Sequence, residues 1–195
     1  MRQHVLAGKA DCKVMSGDYV ESLATYTEAY GPQLHDWPVS LSLLLEVVGR
    51  HDDAKELVRT EVSTDELYLY NLRLGRTLVT ASEGQHDQAL SQLRAAAHFA
   101  RVRPASLLGR DFLVTAAALA SLRGDARRAS RSLAVERNSI WSRNQGPWVL
   151  SLHVRDRVRR ILTRNQVRHC KAQAASLTVD TALAAELGDA WPLER

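Results

Sequence analysis

The sequence predicts an all-α fold, a stack of about five helical hairpins, and three observations predict it. A glycine followed five residues later by Ala or Ser occurs four times, at Gly17 with Ser22, Gly49 with Ala54, Gly84 with Ala89 and Gly124 with Ala129. An apolar residue comes four positions further on each time: Tyr26, Val58, Leu93 and Leu133. These offsets put the small and the larger residue a turn apart on one helix face, just after a glycine suited to ending the preceding helix. The intervals between successive glycines lengthen along the chain but stay near the period of a repeated helical hairpin, about 34 residues. Residues 1–195 are therefore read as a single helical-repeat domain with repeat turns near 17, 49, 84 and 124.

The elements follow in order. Met1 to Val14 reads as a helix ended by Gly17, and Asp18 is the expected N-cap of the next, in which Val20, Leu23, Tyr26, Thr27 and Tyr30 recur at helical spacing. Gly31-Pro32 stops that helix, and Pro38, beyond Trp37, opens another. Its residues Val39, Leu41, Leu43, Leu44, Leu45, Val47 and Val48 are apolar nearly all round, so it is expected to be the most buried element. Asp52 to Glu61 is its charged partner, with Ala54, Leu57 and Val58 inward. Ser63-Thr64-Asp65-Glu66 predicts a capping box, after which a helix with Leu67, Leu69, Tyr70, Leu74, Leu78 and Val79 runs to about Ser82.

Beyond Gly84, the small residues Ala89, Ala96, Ala97 and Ala100 predict a helix that a neighbour approaches closely. Pro104 marks the start of the next helix, whose apolar positions from Leu107 to Leu122 carry it to Arg123, and Ala126 to Arg137 is its partner. Asn138 to Gly146 has no sustained period and is expected as a long loop, with Trp141 and Trp148 near its ends. Pro147 opens a helix rich in arginine, and a last pair, about Gln166 to Ala175 and Thr178 to Leu187, is expected to cap the stack, so that the capping helices occupy about 147–188.

The Gly-x-(aromatic or His)-x-x-Ala turn, with Tyr19, His51 and His86 two residues after their glycines, resembles that of tetratricopeptide repeats (TPR). Ala29 and Ala96 match that family's later small position. The repeats are degenerate: the Trp-x-x-Leu-Gly pattern is absent, and Leu74-Gly75 is out of register by two. Such irregularity resembles the helical-repeat regions of bacterial signal-transduction ATPase regulators. Residues Ala174 to Leu187 are similar to the segment that ends this region in LuxR-type regulators. The resemblance implies a TPR-like α-solenoid, an interaction module in transcriptional or signalling regulation, and a partner held on the concave face.

Composition narrows the reading. A 45% hydrophobic content suffices for a folded core, the longest apolar run is too short to cross a bilayer, and the first ten residues lack the core of a signal peptide. A cytoplasmic protein with reduced Cys12 and Cys170 is expected, without membrane attachment. The net charge of +4 hides an asymmetry: residues 1–100 carry 9 Lys+Arg against 14 Asp+Glu, residues 101–171 carry 16 against 4, and the remainder 1 against 4. A segment at +12 attracts DNA, RNA or an acidic protein, and it is the basis of a second reading, a nucleic-acid-associated protein using residues 101–171.

No arrangement of residues points to catalysis. His51 and His86 occupy matching turn positions, as a repeated structural role would produce. His169-Cys170 has no ligand spacing around it, Asp52-Asp53 suits a helix start, and no phosphate-binding Gly-x-x-x-x-Gly-Lys loop occurs. No metal and no cofactor are expected. On a helix that turns about 100° per residue, Arg155, Arg157, Arg159 and Arg160 scatter over more than half of the circumference, so they form no single stripe. Asn71, Arg73, Arg76 and Arg110 avoid the apolar stripes of first helices, and they are the candidate concave-face contacts for a protein or peptide partner, acidic in character. Homodimerisation through an open end of the stack is left open.

Overall fold

The computed structural model of the chain describes residues 2–31, 38–60, 63–102, 107–138 and 149–187. Eleven helices run through them, and among the described residues there is no strand. In order they are α1 (Arg2–Ser16), α2 (Tyr19–Tyr30), α3 (Pro38–Val47), α4 (His51–Arg59), α5 (Glu66–Ser82), α6 (His86–Val102), α7 (Leu107–Leu122), α8 (Ala126–Asn138), α9 (Val149–Ile161), α10 (Arg164–Ala174) and α11 (Val179–Leu187). Trp37, Pro104, Trp141, Pro147, Trp148 and the loop expected after Asn138 lie outside the described residues.

The recurring glycines build one turn four times. Gly17, Gly49, Gly84 and Gly124 have φ between 80° and 84°, a left-handed conformation that a Cβ disfavours. Each glycine N–H donates to the carbonyl three residues back, and the next N–H donates to the carbonyl five back, at 2.8–3.2 Å throughout. That pair of bonds is a Schellman motif, which satisfies carbonyls left over at a helix end and reverses the chain. The residue after each glycine then accepts the N–H of Ser22, Ala54, Ala89 or Ala129, all four fully buried. Ser22 fits there because its hydroxyl donates to the Ala10 carbonyl across the hairpin, at 2.9 Å.

Four hairpins result: α1–α2, α3–α4, α5–α6 and α7–α8. Successive first helices pack side by side, α3 on α5 and α5 on α7, and α9 continues the row on α7 and α8. The last pair departs from the pattern. No glycine separates α9 from α10; Thr163 at ψ 161° takes an extended step instead, and α10 packs on α8. Thr163 and Gln166 form a reciprocal capping box at the start of α10. The box expected at Ser63 and Glu66 does not form, because α5 begins at Glu66 with Asp65 as N-cap, accepting the Tyr68 N–H at 2.9 Å; Ser63 accepts from Asp65 instead.

The most buried element is α7, not α3. Every residue from Gly109 to Ser121 is buried, because α5, α6, α8, α9 and α11 surround that helix, whereas Ser40, Glu46 and Val47 of α3 are only partly covered. Phe112, Leu113 and Val114 anchor the larger of two core clusters, which reaches to Ala182 and Leu183 of α11. The smaller cluster joins Leu23, Leu44, Leu57, Tyr68 and Leu72 from α2 to α5. Gly75 of α5 sits close to α3 and α4: a Cβ there would lie 2.9 Å from the Ser42 hydroxyl and 3.2 Å from both the Pro38 carbonyl and Val58. No helix among the described residues is long and apolar enough to cross a membrane.

Candidate binding cleft

The residues singled out on first helices face different neighbours. Half-buried Asn71 donates to the Leu67 carbonyl one turn back, at 3.0 Å. Arg73 lies over the Phe99 ring of α6, 5.5 Å from its centroid, a cation–π geometry. The Arg76 Nε donates to the Val58 carbonyl of α4 at 2.7 Å. Arg110 is interior and pairs with Asp111 at 3.1 Å. Arg110 is thus withdrawn from any open face, whereas Asn71, Arg73 and Arg76 are half-buried on α5.

What the fold does assemble is a cleft of about 500 Å³ where α10 and α11 return to α8. Asp125, Arg128, Arg131, Ser132 and Val135 line one side, and Gln173, Leu177 and Ala182 the other. On an ideal helix, Arg128, Arg131 and Val135 fall within about 60° of one another, and Asp125 and Ser132 lie beside them. The opposite face of α8 buries Ala126, Ala129, Leu133 and Ala134 in the core, so the arginines are held outward. Asp125 caps the helix, accepting the Arg128 N–H at 3.0 Å, and the Ser132 hydroxyl donates to the Arg128 carbonyl at 3.1 Å. Val135, Leu177 and Ala182 are at least partly buried and give the cleft an apolar lining. The spacing of Arg128, Arg131 and Val135 was visible in the sequence; the return of α10 and α11 to that face was not.

Behind the cleft lies an interior set of charges. Glu136, on the turn after Ser132, is fully buried and receives Arg155 of α9 at 3.0 Å. Asp111 is buried on α7, and that burial pushes its carboxyl from 3.8 up to about 6, with Arg110 opposing and Glu136 adding to the rise. The Tyr70 hydroxyl donates to the Leu108 carbonyl at 2.5 Å, and burial holds its phenol well above the ordinary range. The arginines of α9 thus divide: Arg155 faces inward, while Arg157, Arg159 and Arg160 are exposed and Arg159 reaches Asp156 at 3.4 Å. On the same helix His153 meets the Tyr19 ring edge-on at 6.0 Å, and burial, followed by Arg157, lowers its proton affinity.

The remaining chemically capable residues stay apart. The exposed His51 contacts Glu46 at 2.7 Å, and the position equivalent to Glu46 in the next repeat is Ala81, so His86 has no matching acid. Exposed His169 and buried Cys170 are adjacent on α10 but face opposite environments. Among the described residues no three His, Cys, Asp or Glu side chains converge as a metal site. Asp52 and Asp53 occupy the first turn of α4, where carboxylates meet the positive end of the helix, and Asp53 receives Arg50 at 2.6 Å. No protein-family model, curated protein or solved structure matches this chain.

Proposed function

We propose that the chain is a non-catalytic interaction module, a TPR-like α-solenoid of degenerate helical hairpins that receives a partner or effector in bacterial transcriptional or signalling regulation in the cytoplasm. The observation that supports it is the recurrence of one hydrogen-bonded Gly turn at four places, each followed by a buried small residue. Repeated hairpins of this kind create extended surfaces without catalytic machinery, and their binding residues are free to vary. The receiving site is the Arg128–Arg131 cleft, which combines charge, concavity and an apolar lining.

The exposed Arg157, Arg159, Arg160, Arg164 and Arg168 favour a second reading, association with nucleic acid through α9 and α10. The two readings separate in a pull-down from bacterial lysate at low and moderate salt, with and without nuclease. A protein or small-molecule ligand retained after nuclease, and lost when Arg128 and Arg131 are both replaced by Gln, supports the module and its site. Retention only of nucleic acid, falling steeply as salt rises, supports the second reading and removes the first.

A further inference from the structure

The surface cations of this chain are treated differently at its two ends. Over α1 to α5 several are met by acids: Arg2 by Glu28, Lys13 by Glu21 and Lys55 by Glu83, at 2.7–3.1 Å. On α9 and α10 the exposed Arg157, Arg160, Arg164, Arg168 and Lys171 have no carboxylate paired with them among the described residues, and the neighbouring Asp156 is taken by Arg159. The crowding of like charge reaches the interior. Burial lowers the proton affinity of Arg155, Glu136 opposes it, and Arg137 and Arg159 lower it further.

Three of these cations form one row. On an ideal helix Arg164, Arg168 and Lys171 fall within about 60° of one another and span about 10 Å of axis. Cys170 and Ala174 are buried on another side of α10, so the row is held outward. Arg164 also stands in the first turn of that helix, with no acid beside it in that turn, where a cation opposes the helix dipole. Folding alone does not account for a charge placed there.

A polyanion does. Each strand of duplex DNA carries one charge per ~3.4 Å of axis, so about 10 Å of row runs past about three phosphates for its three cations. Neither α9 nor α10 contains Phe, Tyr or Trp, the side chains that hold single strands by stacking on the bases. Ile161 is the one large apolar side chain exposed on them among the described residues, too little for the apolar core of a protein interface. The exposed side of α10 suits the ~12 Å major groove of B-form DNA and not the deep, narrow one of an RNA duplex. Resting on the second reading of these helices, and independent of what the cleft beside α8 receives, we propose that the outer face of α10 docks duplex DNA through its phosphates.

The probe is a fluorescein-labelled DNA duplex of arbitrary sequence, followed by anisotropy with the full chain between about 50 and 200 mM salt. A dissociation constant of about 1–100 μM near physiological salt is expected, with log K falling linearly against log salt. Arg164→Gln with Arg168→Gln should weaken binding about tenfold per charge at the low end and flatten the slope by about 2. Arg164→Lys with Arg168→Lys keeps both charges and should keep the slope. Lys9→Gln with Arg94→Gln makes the same change in net charge at exposed sites on α1 and α6, and it should bind as wild type. Equal losses from the two glutamine pairs would show a diffuse field and overturn the surface. Tighter binding of single-stranded DNA or of duplex RNA would overturn the choice of partner. If the duplex fails to bind while the lysate pull-down still retains nuclease-sensitive material, duplex DNA is wrong and the second reading stands. Retention there of an acidic protein alone, lost with the double glutamine variant of α10, would overturn nucleic acid altogether. Matching far-UV circular dichroism and melting temperature across the variants establish that each one is folded.

Discussion

Asp111 and Glu136 are carboxylates inside a helical bundle, and an arginine attends each of them. Burial works against their charge, the arginines work for it, and for Asp111 burial wins. Its raised pKa has a definite sign. The folded chain holds the Asp111 proton more tightly than the unfolded chain, so this residue contributes stability that is full below about pH 4 and lost as pH rises through about 6. Asp111→Asn should therefore gain on the wild type by on the order of 2–3 kcal/mol between pH 4 and pH 7, measured as the difference between urea-unfolding curves. His153 opposes this trend. Its lowered pKa contributes stability that is present above its unfolded value and lost as pH falls, so the asparagine variant, not the wild-type profile alone, isolates Asp111. Arg155→Ala removes a cation from a fully buried Glu136 and should cost about 2–4 kcal/mol at pH 7 in the same assay. None of this was legible in the sequence. Arg110 reads as a surface residue because it avoids the apolar stripe, but α7 is covered on all sides, so residues off the stripe are interior too.

At the scale of elements, the sequence was most informative where backbone chemistry is local. The glycine turns were visible because a left-handed residue at a helix end demands glycine, and the buried Ala54, Ala89 and Ala129 follow from their fixed offset. Caps were less secure. Ser63, Thr64 and Asp65 all have capping side chains, and which one acts depends on where α5 meets its neighbours. Gly75 shows a role that spacing alone did not reveal. It lets α5 approach Ser42 and the Pro38 carbonyl of α3, so the methyl of Gly75→Ala crowds the Ser42 hydroxyl and that carbonyl. Although alanine is intrinsically the better helix former, the variant should be destabilised by about 1–3 kcal/mol in thermal or urea unfolding. A stable Gly75→Ala chain would show that α3 and α5 have slack at their contact.

For the whole molecule, the all-helical class was legible and the path of its last third was not. Periodicity locates α10 and α11 but carries no information on which face they cover, since contacts between distant segments leave no local signature. Those two helices close the cleft, α11 completes the surroundings of α7, and Leu183 of α11 is fully buried against the main core. Leu183→Ala should lower stability by about 2–5 kcal/mol, read by urea unfolding, and raise amide exchange in α7 beyond that in α1. Uniform exchange changes in both helices would show instead that the bundle opens as one unit. The position of α11 also sets an order of events during synthesis. The central helix is complete at Leu122, yet one of its sides stays uncovered until Leu183 has been made, roughly 3–12 s later at ~5–20 residues per second. For that interval the nascent chain displays apolar surface that the finished molecule hides, and chaperone capture on the ribosome should be concentrated there.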